Sequence, residues 1–504
     1  MATPNERLAN SLNVLRELQQ GRRRVFQASE IGRVHRGRLL QNGFLKEAVR
    51  GWLISSSPST REGDTTPWYA SFWEFCARYC EERFGTAWCL SAEQSVMLHA
   101  ANTVTPSQVV IMTPKGGNNN LTLPFGTSLY DFRQPQMPST AEIQIRDGLR
   151  LLTPAAALVR VSENFMVRNP LETRLLLAGM DDAADLLRLL LAGGHSSVAG
   201  RLAGGLRRAG QETAAAEILK TMKAAGYDVR ETDPFAARQL AAPSAAAAPI
   251  VGRIRALWAA MRGQVMDIFP PPPGLPADTA AYLQSVDEIY QSDAYHSLSI
   301  EGYQVSTALV ERVRLGSWEP VNHDADRQSR DALAARGYWQ AFQAVKLTIE
   351  KVIHGENAGT LIRAAHRDWY RELFQPCVGA GLLPPSALAG YRNDAVYLRT
   401  SRYVPPRWEA VRDALPALFD LLESEPEPAV RVVLGHWLFG YIHPYPDGNG
   451  RIARFLMNAM LASGGYPWMV IRVEDRSAYL AALDRASVDA DIGAFVDFLS
   501  SRVT

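Results

Sequence analysis

Two apolar stretches near the end of this chain read as buried helices, and what lies between them restricts the fold most. Val430, Val433, Leu434, Trp437, Leu438, Tyr441 and Ile442 recur at three- and four-residue spacing, the period that gathers side chains on one helix face. Ile452, Phe455, Leu456, Ala459 and Met460 repeat the pattern until Gly464 and Gly465 stop it. The stretch between them is "HPYPDGNG". Pro444 and Pro446 end the first helix, while Gly448 and Gly450 let the backbone turn tightly and approach a ligand. A fold that buries both helices carries this polar loop at their junction.

The loop has the makings of an anion site. A helix that starts near Gly450 presents unsatisfied N–H groups and the positive end of its dipole. Arg451 and Arg454, three residues apart on its first turn, add two cations. Together these suit a polyphosphate. Such ligands usually carry Mg²⁺, which Asp447 could hold. His443 has the pKa range needed to take a proton near neutrality. A plain helix–helix turn with one salt bridge would use one or two of these residues rather than the whole set.

Residues 443 to 454, "HPYPDGNGRIAR", resemble the Fic family signature H-x-F-x-[DE]-G-N-G-R-x-x-R, with Tyr445 in place of phenylalanine. Tyrosine keeps the ring and is expected to anchor the loop in the core. The related Doc branch, which phosphorylates its target, has lysine at the position of Gly450, so the glycine points away from that branch. The resemblance covers about 251–504 and implies an all-helical domain that moves AMP from ATP to a Ser, Thr or Tyr hydroxyl of another protein. By position, His443 would take the hydroxyl proton and Asp447 would hold Mg²⁺. Gly448, Asn449 and Gly450 would cradle the α-phosphate, and Arg451 and Arg454 would bind the β- and γ-phosphates. Tyr479 is a candidate for the adenine pocket, with helix packing as its alternative. Residues 390–406, "GYRNDAVYLRTSRYVPP", alternate and contain turn residues; they read as a β-hairpin or extended flap, which the family uses to dock targets.

"SLSIEG", residues 297 to 302, matches the family's inhibitory pattern [ST]-x-x-x-E-[GN] through Ser297, Glu301 and Gly302. An inhibitory helix near 280–310 is therefore expected. A Glu301 carboxylate paired with Arg454 would take the cation that the γ-phosphate needs and repel that phosphate by like charge. ATP could still bind, but turned so that the hydroxyl cannot attack in line. Taken alone, Glu301 would be an exposed helix acid.

The remainder of the chain is less explicit. At 504 residues it exceeds one ordinary core. A net charge of +1 gives no overall basic signature, so any nucleic-acid contact must be local. Residues 1–58 read as short helix, turn, basic helix and two strands, the order of a winged helix-turn-helix. There Arg33, Arg36 and Arg38 are the candidate DNA contacts, or else a solvated basic face. Residues 59–234 read as mixed α/β turning helical, and 235–250 as a small-residue linker. This first part loosely resembles AbiEi-type antitoxins, which implies regulation or partner binding. "LAGGHSSVAGRLAGG" lacks a P-loop lysine and marks helix ends and close contacts; His195 within it is assigned no role.

Cys76 and Cys80, one helical turn apart among aromatics, read as buried thiols rather than zinc ligands. Four cysteines and no leader-like start suggest a reducing, cytoplasmic setting. No apolar run is long enough to span a bilayer. The expected architecture is thus mainly α: an all-helical domain with a β-hairpin flap, preceded by a winged-helix module and a small mixed α/β domain.

The leading expectation is a self-inhibited protein adenylyltransferase using ATP and Mg²⁺ on a protein target, with a homodimer as the default assembly. Its alternatives are the same fold using another nucleotide or removing AMP, and a DNA-binding autoregulator with a silent or sensing catalytic half.

Overall fold

The computed structural model describes residues 3–236, 248–316 and 330–503. The chain divides into two compact units, 1–249 with 397–404, and 250–396 with 405–504. Most of the 235–250 linker lies outside the described residues.

The first unit opens with helix α1 (Pro4–Leu18), whose start is fixed by a reciprocal capping box. The Thr3 Oγ1 accepts from Glu6 N at 3.2 Å, and Glu6 accepts from Thr3 N at 2.6 Å. Strand β1 (Val25–Gln27), helix α2 (Arg33–Gln41) and strands β2 (Leu45–Val49) and β3 (Trp52–Ser55) follow. The strands form an antiparallel sheet in the order β1–β3–β2. Leu15, Phe26, Ile31, Leu39, Leu45 and Leu53 make its core. Arg33 is exposed, and Arg36 and Arg38 are half-buried. Arg36 Nη1 donates to the Ala28 carbonyl, and Arg38 Nη1 to Arg7 O at 2.8 Å and Ser11 Oγ at 2.9 Å. Of the three arginines proposed as a basic reading surface, two are thus occupied in holding the module together.

Next come helix α3 (Thr66–Phe84) and a four-stranded sheet in the order β4–β5–β7–β6. It is built from Cys89–Leu90, Gln108–Thr113, Asn120–Thr122 and Ser128–Arg133, with β5 and β7 parallel. The hairpin β8–β9 (Ile143–Arg146, Leu149–Leu152) turns at Asp147 and Gly148, both with positive φ. That is the backbone a two-residue hairpin loop prefers. Helices α4 (Ala92–His99) and α5 to α10, between Pro154 and Ala224, enclose a second core. Gly194 ends α8 (Ala184–Gly193) in the left-handed conformation, as the glycine-rich stretch there suggested. Cys76, Cys80 and Cys89 are buried free thiols, and burial pushes their pKa values up. Among the described residues no group of three or more His, Cys, Asp or Glu could hold a metal ion.

The second unit contains helices and no strands among its described residues. They are α11 (Pro249–Ile268), α12 (Thr279–Ile300), α13 (Thr307–Arg314), α14 (Arg330–Ile353), α15 (Ala358–Gly379), α16 (Val411–Ser424), α17 (Pro428–Ile442), α18 (Asn449–Ala462), α19 (Arg476–Asp489) and α20 (Gly493–Val503). Residues 390–406 form no strand pairs, so the β-hairpin is corrected to the extended alternative. Helices α17 and α18 are buried nearly all round rather than along one stripe, which makes α18 the central element. No helix among the described residues is long and apolar enough to cross a membrane.

The proline-rich break at 269–278 packs against the end of α18. Gly274 N donates to Gly464 O at 3.0 Å, and Tyr466 Oη donates to Pro270 O at 2.6 Å. Gly465 has φ +77°, and a Cβ there would overlap the Gly274 carbonyl. Gly465→Ala should therefore destabilise this unit by about 3 kcal/mol. In a thermal melt of the full chain that is a drop of roughly 5–10 °C. An unchanged melt would show that the break does not rest on this glycine.

Candidate functional site

Helix α17 stops at His443, which adopts the left-handed conformation (φ 52°, ψ 60°). This region is uncommon for a residue with a Cβ and favours histidine over most others. The His443 ring contacts Gly440 O through Nδ1 at 3.2 Å. A carbonyl can only accept, so Nδ1 carries the proton and Nε2 presents its lone pair. Burial pushes the pKa of His443 down to about 4, and the Arg392 charge pushes the same way against Glu301 and Asp447. The imidazole is therefore neutral at pH 7, the state a proton acceptor requires.

The chain then descends into the core. Tyr445 is fully buried and stacks on Tyr370 of α15, with ring centroids 3.9 Å apart and planes 4° from parallel. It anchors the loop as its aromatic character implied. Its hydroxyl reaches His366 O only at 3.5 Å, too long for a good hydrogen bond. Asn449 Oδ1 accepts from Tyr445 N at 2.9 Å, and its Nδ2 donates to Tyr445 O at 2.8 Å. Both ends of this amide are thus consumed in shaping the loop. The Asn449 side chain therefore braces the loop backbone, and any phosphate contact at this position falls to its main-chain N–H.

One urea titration separates these two roles. Asn449→Ala leaves two buried main-chain groups unpaired and should cost about 2 kcal/mol. Tyr445→Phe should change stability by less than about 0.5 kcal/mol. Equal losses from the two variants would overturn this division.

Gly448 makes the turn into α18 at φ +81°, where a Cβ would come within 2.8 Å of the Phe374 ring. Asp447 Oδ1 accepts from Gly448 N at 2.6 Å, while its other oxygen lies 3.6 Å from Arg451 Nη2 and its side chain is 57% exposed. Arg451 is 1% exposed and lies between two rings, with Cζ 5.2 Å from the Tyr303 centroid and 5.0 Å from that of Phe374. Its Nε and Nη2 have no hydrogen-bond partner among the described residues. A buried guanidinium with unmet donors at a helix start is built to receive an anion.

Arg454, one turn further on, has its partners. Its Nη2 donates to Glu301 Oε1 at 2.7 Å and Ser297 O at 3.1 Å, and its Nε donates to Ser297 Oγ at 2.9 Å. Burial opposes ionisation of both Glu301 and Arg454. Even so, the mutual attraction holds the Glu301 carboxyl below the usual range and raises Arg454. Glu301 stands at the C-cap of α12, and the helix closes there as a Schellman turn. Gly302 N donates to Ser299 O at 3.0 Å, and Tyr303 N to Leu298 O at 3.1 Å. Gly302, at φ +88°, makes that closure possible. The same turn carries Tyr303 over Arg451. Gly450 completes the arrangement, because a Cβ there would overlap Glu301 Oε1.

Tyr479 is not at an open pocket. It is buried, and its hydroxyl meets His436 Nε2 at 2.7 Å while His436 Nδ1 contacts Ala453 O at 3.0 Å. These contacts are those of the packing alternative. Three residues passed over in the sequence join the site: Tyr303, Phe374 and Arg392. The first two carry no signal beyond their type. Arg392 sits in the flap with no motif to mark its role.

Residues 360–461 match the Fic/DOC family model, so the chain carries a Fic-family domain. Over 235 residues it is 29% identical to the protein adenylyltransferase Fic of Nematostella vectensis, covering 45% of this chain and 50% of that protein. Over 228 residues it is 27% identical to the protein adenylyltransferase fic-1 of Caenorhabditis elegans, covering 44% and 42%. The chain thus spans about half the length of these curated relatives, or less. Among solved structures, residues 134–508 of C. elegans Fic-1 align with a TM-score of 0.37 at 16% identity, over 66% of this chain and 84% of that one. A Fic-domain signalling protein from Bacteroides thetaiotaomicron aligns with a TM-score of 0.33 at 20% identity, over 49% and 93%.

Proposed function

We propose that the chain is a protein adenylyltransferase that transfers AMP from ATP to a Ser, Thr or Tyr hydroxyl of a protein target, and that Glu301 holds it in check. The observation that carries this reading is the buried pair of arginines at the head of α18. Arg451 has unmet donors, and Arg454 is engaged by a carboxylate from α12. A triphosphate laid on this helix start would meet both cations and the first-turn N–H groups.

His443 Nε2 then accepts the proton of the incoming hydroxyl, and the hydroxyl oxygen forms a bond to the α-phosphorus. The bond from that phosphorus to the bridging oxygen breaks, and pyrophosphate leaves with both electrons. The chain's contribution is positioning and charge, with no covalent enzyme intermediate. Asp447 offers a hard oxygen ligand at the loop mouth. A single carboxylate beside substrate phosphates is a usual donor set for Mg²⁺, which when bound would neutralise phosphate charge.

Seated against Arg454, Glu301 occupies the space of a terminal phosphate and repels it. Incubating the full chain with ATP labelled on the α-phosphate, with and without a cell lysate, tests the reading by mass. An added AMP on protein supports it. A different adduct, or loss of AMP from a modified protein, would replace it.

A further inference from the structure

We propose that Arg392 is a positioning residue that fixes the His443 main chain and ties both ends of the flap to the catalytic loop. The inference rests on the adenylyl-transfer reading and adds a residue to it.

Arg392 is 4% exposed, unusual burial for an arginine, and its guanidinium serves main-chain carbonyls from three segments. Nε donates to His443 O at 2.8 Å, and Nη2 to Ile442 O at 3.4 Å. Nη1 donates to Asp394 O at 3.0 Å, and Nη2 also to Pro406 O. The Arg392 N–H donates to Pro444 O at 2.9 Å. One side chain thus gathers the end of α17, the residue after it, and the two ends of the flap.

The geometry explains why this matters for the reacting group. His443 sits in a left-handed conformation after its helix has ended, so the carbonyls of Ile442 and His443 are turned out of the helical ladder. Without donors they would be buried and unpaired, and the loop would relax toward an ordinary backbone. Lysine can supply the charge, but it cannot present a planar fork to several carbonyls at once. The same guanidinium also places a positive charge near the imidazole, opposite in sign to Glu301 and Asp447, the other charged groups acting on that ring.

The test uses the full chain in the Glu301→Gly background, with Arg392→Gln and Arg392→Lys. Arg392→Gln should lower kcat about a hundredfold, as expected when a reacting group shifts by about 1 Å. KM for ATP should stay within about threefold, because the phosphate ligands are untouched. The acid limb of the pH–rate profile should move up by about one pH unit, since a nearby cation is lost. Arg392→Lys should keep the acid limb in place and lose about tenfold in kcat.

A folded Arg392→Gln protein with unchanged kcat and pH profile overturns the proposal, as does a loss confined to KM for ATP. If Arg392→Gln does not fold, a folded Arg392→Lys protein with undiminished kcat overturns it. An imidazole NMR titration, assigned by the signal missing from His443→Ala, reads the His443 pKa without any turnover. A rise in Arg392→Gln supports the proposal, and no change refutes it. An inactive Glu301→Gly parent instead counts against the transfer reading itself.

Discussion

Glu301→Gly is expected to raise AMP incorporation from ATP by about ten- to a hundredfold. The estimate follows from the contact to be broken. A hydrogen bond between charged groups contributes about 1.5–3 kcal/mol, and each ~1.4 kcal/mol is a factor of ten. Glu301 makes such a bond to Arg454 at 2.7 Å, and in the proposed reaction the productive pose of a triphosphate needs that same guanidinium. Glu301→Gln keeps the size and removes the charge, so it should fall between parent and glycine variant.

The stability should move the other way. Deleting Glu301, whose side chain is 27% exposed, leaves the buried Arg454 charge uncompensated at a cost of about 2 kcal/mol, although the Ser297 contacts of Arg454 remain. Pyrophosphate added to Glu301→Gly should recover much of the lost melting temperature, and should do less for the parent. If both variants match the parent in incorporation and melting, Glu301 is no brake.

His443→Ala is expected to reduce incorporation by about a hundred- to ten-thousandfold, since a positioned general base contributes about 10²–10⁴. The substitution should be mild for the fold. Histidine is among the residues that accept φ 52° best, so alanine there should cost about 1 kcal/mol of backbone strain. His443→Asn, better suited to that conformation, controls for the turn: it should be as inactive as alanine and at least as stable. In the released background, nucleotide should still protect both variants against melting, because Arg451 and Arg454 are intact. The pH–rate profile of the active protein should be flat across neutrality, because a base with a pKa near 4 is already deprotonated there. Substantial transfer by His443→Ala would assign the proton to another group.

The 443–454 loop was legible because its residues are contiguous. Proline and glycine dictate where the helices stop and start, and the arginines follow from helical spacing. Glu301 was legible through a pattern, and its partner lies 153 residues away. Asn449 shows the limit of such reading. Residue type announces an amide, but only the folded turn reveals that Tyr445 N and O take both of its ends. Arg392 was silent for a related reason: its partners are main-chain carbonyls, which every residue possesses. Tyr479 kept two readings in the sequence because a tyrosine buried against His436 looks the same there as one lining a pocket. The flap alternates like a strand but has nothing to pair with in register, so its side-chain pattern overstated its regularity. In the first part of the chain, a run of arginines read as one surface, yet two of them turn inward to carbonyls and a serine.

Position 450 is shared ground. A Cβ there would lie 2.2 Å from Glu301 Oε1, so any side chain at this point would oblige the α12 carboxylate to move aside. The bond from Glu301 to Arg454 and a substituent at 450 therefore compete for one volume, and the bare backbone of glycine is what leaves that volume to the carboxylate.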